Sequence, residues 1–268
     1  MEFIPKGKIL TANKINSWWV SHTMAPTAVL LNEHKIRIFL GAWDERGISR
    51  ISFIDVEKDN PLNVLSISEE PVLDVGSDGC FDENGVFPAH ASMINGKIYL
   101  YYTGFQLGQK IRHYNFGGLA IGKPEDRQFT RVSSSPILDR KDEGLLVRAG
   151  QSVLFEENIF RTVYSAGSQW TTAGGKLRPC YDVYYQDSID GVSYENKGHL
   201  ILAADSSIEH GLGRPQIIKQ NNIYYVFYTR RLLSMKYFFG IAKSHDRKSW
   251  TKIDQEITGI SHSNGDWD

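Results

Sequence analysis

The sequence predicts an all-β fold, a β-propeller built from four evident units and the start of a further one. Three observations carry this. One strand recurs in four versions, at Ile36-Arg-Ile-Phe-Leu-Gly41, Ile98-Tyr-Leu-Tyr-Tyr-Thr-Gly104, Phe160-Arg-Thr-Val-Tyr-Ser-Ala-Gly167 and Ile223-Tyr-Tyr-Val-Phe-Tyr-Thr-Arg230. The spacing is constant: Pro26 to Pro88 is 62 residues, Gly104 to Gly167 is 63 and Gly167 to Arg230 is 63. Each unit also closes alike, with a strand, a polar turn and an aromatic, ending at Phe129, Tyr194 and Trp250. A fixed period of this length with several short strands per unit is the signature of radial repetition, which leaves only short strand edges.

Taken in order, residues 1–20 hold Trp18-Trp19, read either as core aromatics of a lead-in strand or as a stacking platform at the rim of a site. Repeat one covers about 21–75, with Asn32-Glu-His-Lys35 and Trp43-Asp-Glu-Arg-Gly47 as turns. Repeat two, about 79–135, opens on the acidic loop Gly79-Cys-Phe-Asp-Glu-Asn-Gly85. Its first hairpin turns at Asn95-Gly96, the pair suited to the two left-handed positions of a type I′ turn. A basic insertion, Phe105 to Phe116 with Lys110, Arg112 and His113, is expected as a long loop. Repeat three, about 144–202, carries a second polar insertion from Ser168 to Arg178, and repeat four covers about 208–258. Long connections in a tight repeat are where function concentrates. Gly265-Asp-Trp-Asp268 resembles the lead-in Gly79-Cys-Phe-Asp82 and marks the start of a further unit at 264–268. Either a fifth unit is cut short there or the ring closes with four and a tail. An incomplete ring with open edges is expected to pair with something.

At 268 residues, 41% of them hydrophobic, one propeller domain over 1–268 accounts for the whole chain. The net charge of −1 provides no field to draw nucleic acid or an anionic membrane. Two cysteines, Cys80 and Cys180, are too few for a disulfide framework and stand at no metal-ligand spacing, so neither metal nor cofactor is expected. The N-terminus lacks the basic start and apolar run of a signal peptide, and no run nears the ~20 residues that span a bilayer. The expected location is cytoplasmic.

Residues 82–88 (Asp-Glu-Asn-Gly-Val-Phe-Pro), Ile98–Gly104, and the hairpins Ser188-Ile-Asp-Gly-Val-Ser-Tyr194 and His245-Asp-Arg-Lys-Ser-Trp250 resemble the five-bladed β-propeller glycosidases. These are the furanosidase, invertase and arabinanase-type hydrolases, with mannoside phosphorylases as distant relatives. The resemblance spans nearly the whole chain but rests on short motifs. The invertase-type opening Asn-Asp-Pro-Asn-Gly is replaced by Ser21-His-Thr-Met-Ala-Pro26. The Arg-Asp-Pro motif is absent: Arg148-Ala149 and Arg214-Pro215 keep only the arginine.

In a propeller the residues just before each inner strand meet at one mouth of the central channel. That set comprises His22, Asp82, Glu83, His90, Arg148, Gln151, Glu209, His210, Arg214 and Asp268. Glycoside hydrolysis needs two carboxylates, which here are Asp82 as base or nucleophile and Glu209 as acid, with Glu83 as rival to Asp82. Each has a structural alternative, Asp82 as a loop cap and Glu209 as a solvated linker acid. His22, Glu83, His90, Arg148, Gln151, Arg214 and Asp268 are assigned to substrate binding, the forked guanidinium groups of Arg148 and Arg214 suiting carboxylate, phosphate or sugar hydroxyls. The expected function is a glycoside hydrolase-like enzyme. The alternatives are a non-catalytic module that binds a glycan or sugar phosphate, a glycoside phosphorylase, and a protein-interaction propeller.

Overall fold

The computed structural model describes residues 2–194 and 196–258. The described residues form sixteen strands and one short 3-10 turn at Asp254–Glu256. The strands form four antiparallel four-stranded blades. Blade 1 is β1 (Ser21–Leu30), β2 (Lys35–Trp43), β3 (Ser49–Glu57) and β4 (Val64–Ile67); blade 2 is β5 (Val86–Ile94), β6 (Lys97–Leu107), β7 (His113–Gly122) and β8 (Thr130–Arg131). Blade 3 is β9 (Val147–Glu156), β10 (Ile159–Ala173), β11 (Lys176–Ser188) and β12 (His199–Leu202). Blade 4 is β13 (Glu209–Gln220), β14 (Ile223–Leu232), β15 (Tyr237–Ser244) and β16 (Thr251–Lys252). Short parallel bridges, Asn115 to Val147 and Tyr181 to Gly211, tie the third strand of one blade to the inner strand of the next. The further unit expected at 264–268 lies outside the described residues. Among those described, no helix is long and apolar enough to cross a membrane.

Local chemistry sets the meander. The first hairpin of blade 2 turns on Asn95 and Gly96 at φ 48° and 74°. Glu157-Asn158 and Asn221-Asn222 hold the same two left-handed positions in blades 3 and 4. A type I′ turn matches the twist of its flanking strands, which fixes register without a long loop. The insertion at 168–178 is a correction to the expected loop: it continues the β10–β11 ladder to a tip at Gly174-Gly175, both at positive φ. The 105–116 insertion likewise extends β6 and β7, pairing Phe105 with Asn115 and Leu107 with His113. Both insertions are therefore paired strands that lengthen their hairpins.

Side chains alternate across each strand, so one blade feeds two seams. Tyr102 packs toward blade 1 with Phe39, Ile51 and Val86, while its neighbour Tyr101 packs toward blade 3 with Phe160 and Tyr164. Blades 3 and 4 meet through Val163, Val183 and Leu202 against Leu212, Ile217 and Val226. The far face of blade 1 (Leu40, Ala42, Ile54, Val56) is covered by Ile9, Leu10, Ile15, Trp18 and Trp19 from the N-terminal segment. Upstream, Phe3 lies edge-on to Phe239 at 5.4 Å, and its backbone N–H donates to Thr258 O. A single segment thus spans from blade 4 to blade 1. Trp19 is fully buried and donates its indole N–H to His22 O at 2.8 Å, which places it in the core and not on a stacking platform.

Removing that ring should open the seal on blade 1. Trp19→Ala is expected to cost about 3–5 kcal/mol, lowering the melting temperature by on the order of 10 °C, as read by thermal denaturation followed by circular dichroism. A loss below about 1 kcal/mol would mean that the N-terminal segment merely drapes over the blade.

Candidate functional site

The carboxylates expected at the mouth are held inside the seams. Asp82 is fully buried, and its Oδ2 accepts from Tyr102 OH at 3.0 Å and Arg131 Nε at 2.9 Å. Gly76 and Gly104 leave space for it: a Cβ at either would fall 2.0 Å from Asp82 Oδ1 or 2.6 Å from Asp82 Cβ. One seam on, Tyr164 OH donates to Glu143 Oε1 at 3.2 Å, and Arg148 Nε lies 3.1 Å from the same oxygen. In the next seam Tyr228 OH donates to Asp254 Oδ1 at 2.9 Å. Arg230 there pairs with both Glu209 (2.5 Å) and Asp254 (3.5 Å). Three tyrosines 62 and 64 residues apart therefore each meet a carboxylate–arginine pair in a different seam. Burial, reinforced by the Asp82 charge, pushes the Tyr102 hydroxyl up, so it remains a donor at all ordinary pH.

Asp82 and Glu209 share no partner and lie in different seams, and Glu209 Oε2 also caps the Asp205 N–H at 2.8 Å. This geometry supports the loop-capping alternative for Asp82. For Glu209 it corrects the expectation of a solvated linker acid, since the residue is 2% exposed. Arg148, 1% exposed, is occupied by Glu143, Asp139 O and Gln186. Gln151 donates to Gly118 O at 2.9 Å, stitching blade 3 to blade 2. Arg148 and Gln151, expected at a substrate, are held by these intramolecular contacts. Glu83 is a local cap as well, accepting from Gly79 N at 2.6 Å and Gln106 Nε2 at 3.2 Å.

The inner strands meet at a polar plug. His90 on β5 places Nδ1 3.2 Å from Ser152 Oγ on β9 and 3.3 Å from Gln216 Oε1 on β13, while its Nε2 lies 2.8 Å from Ser92 Oγ. Gln216 Nε2 returns to Ala89 O at 3.0 Å. Burial holds the imidazole pKa down at about 4, and the nearby Arg214 charge pushes the same way against the hydrogen bond that Gln216 Oε1 accepts. A neutral, fully engaged His90 joins three blades.

At the mouth the chemistry is different. His22, exposed and at φ 62°, stacks on Trp43 with ring centroids 4.0 Å apart. Arg214 also sits at positive φ, 49°, on a bulge of β13, and its Nη2 reaches across to Pro26 O on β1 at 3.0 Å. A bulge re-aims a side chain, and a left-handed non-glycine residue stores strain that regular pairing would release. Arg231, paired with Gly211 at the end of β14, stands over the Tyr181 ring at 5.6 Å. His210 Nδ1 is 3.0 Å from Pro179 O, which brings Arg178 of the blade 3 hairpin to the same place. Above, His113 stacks on Phe105 and meets Trp170 edge-on at 5.2 Å. Asp268 lies outside the described residues.

The buried side-chain atoms without a partner divide along the same line. Asp82 Oδ1, Glu143 Oε2 and Gln151 Oε1 belong to the seams, as does Arg148 Nε, which lacks a well-aligned hydrogen bond but is ion-paired with Glu143. The other six, on Trp43, His113, Trp170, Arg178, Arg214 and Arg231, are ring or guanidinium nitrogens at the mouth end. Such orphans are rare in folded proteins and cost free energy unless something satisfies them. Sequence reasoning missed Trp43, Trp170, Arg178 and Arg231. The two insertions contained His113, Trp170 and Arg178, and treating them as ladder extensions was the signal that would have found them. No described group of three or more His, Cys, Asp or Glu side chains is placed to hold a metal.

The plug predicts a pH dependence with a defined sign. The folded pKa of His90 is below its unfolded value, so the unfolded chain takes up the proton first and stability falls as pH drops from about 6.5 to 4. The loss attributable to His90 is at most about 3 kcal/mol. In His90→Gln the melting temperature between pH 7 and 4 should fall less steeply; an unchanged slope would remove His90 from the account.

No family model matches the chain. It is 25% identical over 264 residues, 98% of its own length and 86% of the relative's, to "Uncharacterized protein Rv1502" of Mycobacterium tuberculosis strain H37Rv. Among solved structures it is similar to a "Glycoside hydrolase" with TM-score 0.62 and 21% identity, covering 85% of this chain and 72% of that one. It is similar to a thermostable family-43 glycoside hydrolase with TM-score 0.60 and 17% identity, covering 93% and 79%. It is also similar to the α-L-arabinofuranosidase of Lactobacillus brevis with TM-score 0.66 and 10% identity, covering 87% and 72%. The chain has the five-bladed-propeller glycosidase-like fold, and four of its blades lie within the described residues.

Proposed function

We propose that this chain is a carbohydrate-recognition propeller that takes a saccharide at the mouth of its channel, the module reading carried from the sequence. The observation that carries it is the gathering of unpartnered N–H donors around that mouth while the carboxylates are engaged in the seams. Sugar hydroxyls and ring oxygens are acceptors as well as donors, and a pyranose or furanose face stacks on an exposed aromatic. The His22–Trp43 pair offers such a face, with the Trp43 Nε1 donor beside it. The glycosidase-like fold of the structural neighbours supports a carbohydrate as the ligand class, although fold alone carries no activity.

Hydrolysis with Asp82 and Glu209 is the second reading. One observation favours it: Asp82 Oδ1 is buried with no partner, an arrangement that keeps a carboxylate oxygen unspent. Against it stands the separation of the two acids into different seams, since both must flank one glycosidic bond.

Isothermal calorimetry across neutral furanosides and pyranosides, on the wild type and on Trp43→Ala, tests the proposal. Saturable binding weakened about tenfold in the variant, the scale of a lost hydrogen bond, is the expected result. Turnover of a glycoside that survives Trp43→Ala but is abolished in Glu209→Gln would favour hydrolysis.

A further inference from the structure

A net charge of −1 conceals an uneven distribution of sign. The hairpins that join the second and third strands of blades 2, 3 and 4 all turn at the mouth end, because β6, β10 and β14 reach them after pairing with the first residues of the inner strands. Residues 105–116 hold Lys110 and Arg112, residues 168–180 hold Lys176 and Arg178, and residues 229–239 hold Arg230, Arg231 and Lys236, without one Asp or Glu. Of these cations only Arg230 has an ion-pair partner among the described residues. Acidic residues meet the hairpins at their bases: Glu83 Oε1 accepts from Gln106 Nε2 at 3.2 Å, and Asp142 O from Ser168 Oγ at 3.0 Å. The matching hairpin of blade 1 is a short turn through Asp44-Glu45-Arg46-Gly47 and lacks the extension.

The three basic hairpins touch one another. His113 of blade 2 meets Trp170 of blade 3 edge-on at 5.2 Å. The blade 3 tip leans on blade 4, since a Cβ at Gly174 would fall 2.6 Å from Met235 Cγ. Each hairpin also presents an apolar side chain to water: Leu107 is 61% exposed, Leu177 43% and Tyr237 42%. Lys110, Arg112, Lys176 and Lys236 are exposed around them. A lone exposed leucine is ordinary, but three apolar groups on three touching hairpins, each among unpaired cations, are not scattered.

We propose that this end of the propeller docks on an anionic lipid bilayer, the hairpin cations lying over acidic headgroups while Leu107, Leu177 and Tyr237 enter the interface. Basic residues gain from the negative surface potential of such a membrane, and apolar side chains gain from leaving water at the same surface. Attraction between exposed charges is screened beyond about 8 Å at physiological salt, so the local sign governs approach and the net charge does not. A soluble polyanion would engage the cations and leave the leucines in water, which is why the bilayer is the better fit. The inference is independent of what the channel mouth binds.

The test is co-sedimentation of the whole chain with vesicles of phosphatidylcholine alone and of an equal mixture of phosphatidylcholine and phosphatidylglycerol. Three variants accompany the wild type: Lys110→Glu/Lys236→Glu, Leu107→Ser/Leu177→Ser, and Lys58→Glu/Lys97→Glu, whose exposed lysines lie at the opposite end of the blades. The wild type is expected to bind the mixed vesicles roughly tenfold more tightly than the neutral ones, and more weakly as salt rises. Reversing Lys110 and Lys236 should lower that affinity by roughly tenfold or more, and the serine pair should lower it as well. Lys58→Glu/Lys97→Glu, with the same change in net charge, should bind as the wild type does. Every substitution is at an exposed side chain, melting curves confirm folding, and Lys110→Gln/Lys236→Gln replaces a reversal that does not fold. No preference for the mixed vesicles, or an equal loss in Lys58→Glu/Lys97→Glu, overturns the proposal. Heparin bound more tightly than the vesicles, with the serine pair unaffected, overturns it in favour of a soluble polyanion.

Discussion

A tyrosine hydroxyl donated to a buried carboxylate is the interaction on which this propeller depends. Tyr102 with Asp82, Tyr164 with Glu143 and Tyr228 with Asp254 place one such bond in each of the three seams. Apolar faces slide: packing of Phe39, Ile51 and Val86 on Tyr102 tolerates small shifts of one blade over the next. The bonded hydroxyl and charge hold the segments flanking each blade to that blade's own strands, because separation leaves each unsatisfied at a cost of about 1–3 kcal/mol or more. The arginine completes the bond by neutralising the charge. Buried ion pairs contribute little net stability over an apolar replacement, and their value is in specifying one arrangement. Glycine allows the close fit: a Cβ at Gly118 or Gly240 would come within 2.3 Å of the Tyr102 ring or 2.4 Å of the Tyr228 ring.

The clamps determine what is left for function. Asp82, Glu143, Glu209 and Asp254 are engaged with tyrosine and arginine inside the fold, whereas Arg178, Arg214 and Arg231 have no carboxylate partner among the described residues. His90, Ser152 and Gln216 join three inner strands through neutral polar contacts. The bulge at Arg214 turns its side chain out of the strand pattern toward Pro26, so the strained residue is also one of the cations without a counter-charge. A strained residue of this kind persists only where the surrounding structure holds it.

Much of the fold was legible in the sequence. The period of 62 and 63 residues, the Asn95-Gly96 turn and the recurring Ile-Tyr-Leu-Tyr-Tyr strand gave the blades and their order. The side of the strand on which a residue lies was harder to read. Tyr101 and Tyr102 are adjacent and nearly identical in context, yet they serve different seams because pleating alternates. For Asp82 and Glu209 the position ahead of an inner strand was legible, but the way each side chain turns depends on partners 49 and 21 residues away, Arg131 and Arg230. Pairing across such separations leaves no local signal. The insertions were visible as polar stretches, while their continuation of the ladder depended on Gly174-Gly175 being read as a two-residue turn.

The most direct test is a double-mutant cycle at Asp82 and Arg131, with unfolding free energy and glycan binding measured on the same samples. If the carboxylate is a clamp, Asp82→Ala and Arg131→Ala each destabilise by about 3 kcal/mol, the double variant loses clearly less than the sum, and affinity at the mouth is unchanged in variants that remain folded. An Asp82→Ala protein as stable as the wild type that has lost binding or turnover would contradict the account and return Asp82 to the chemistry.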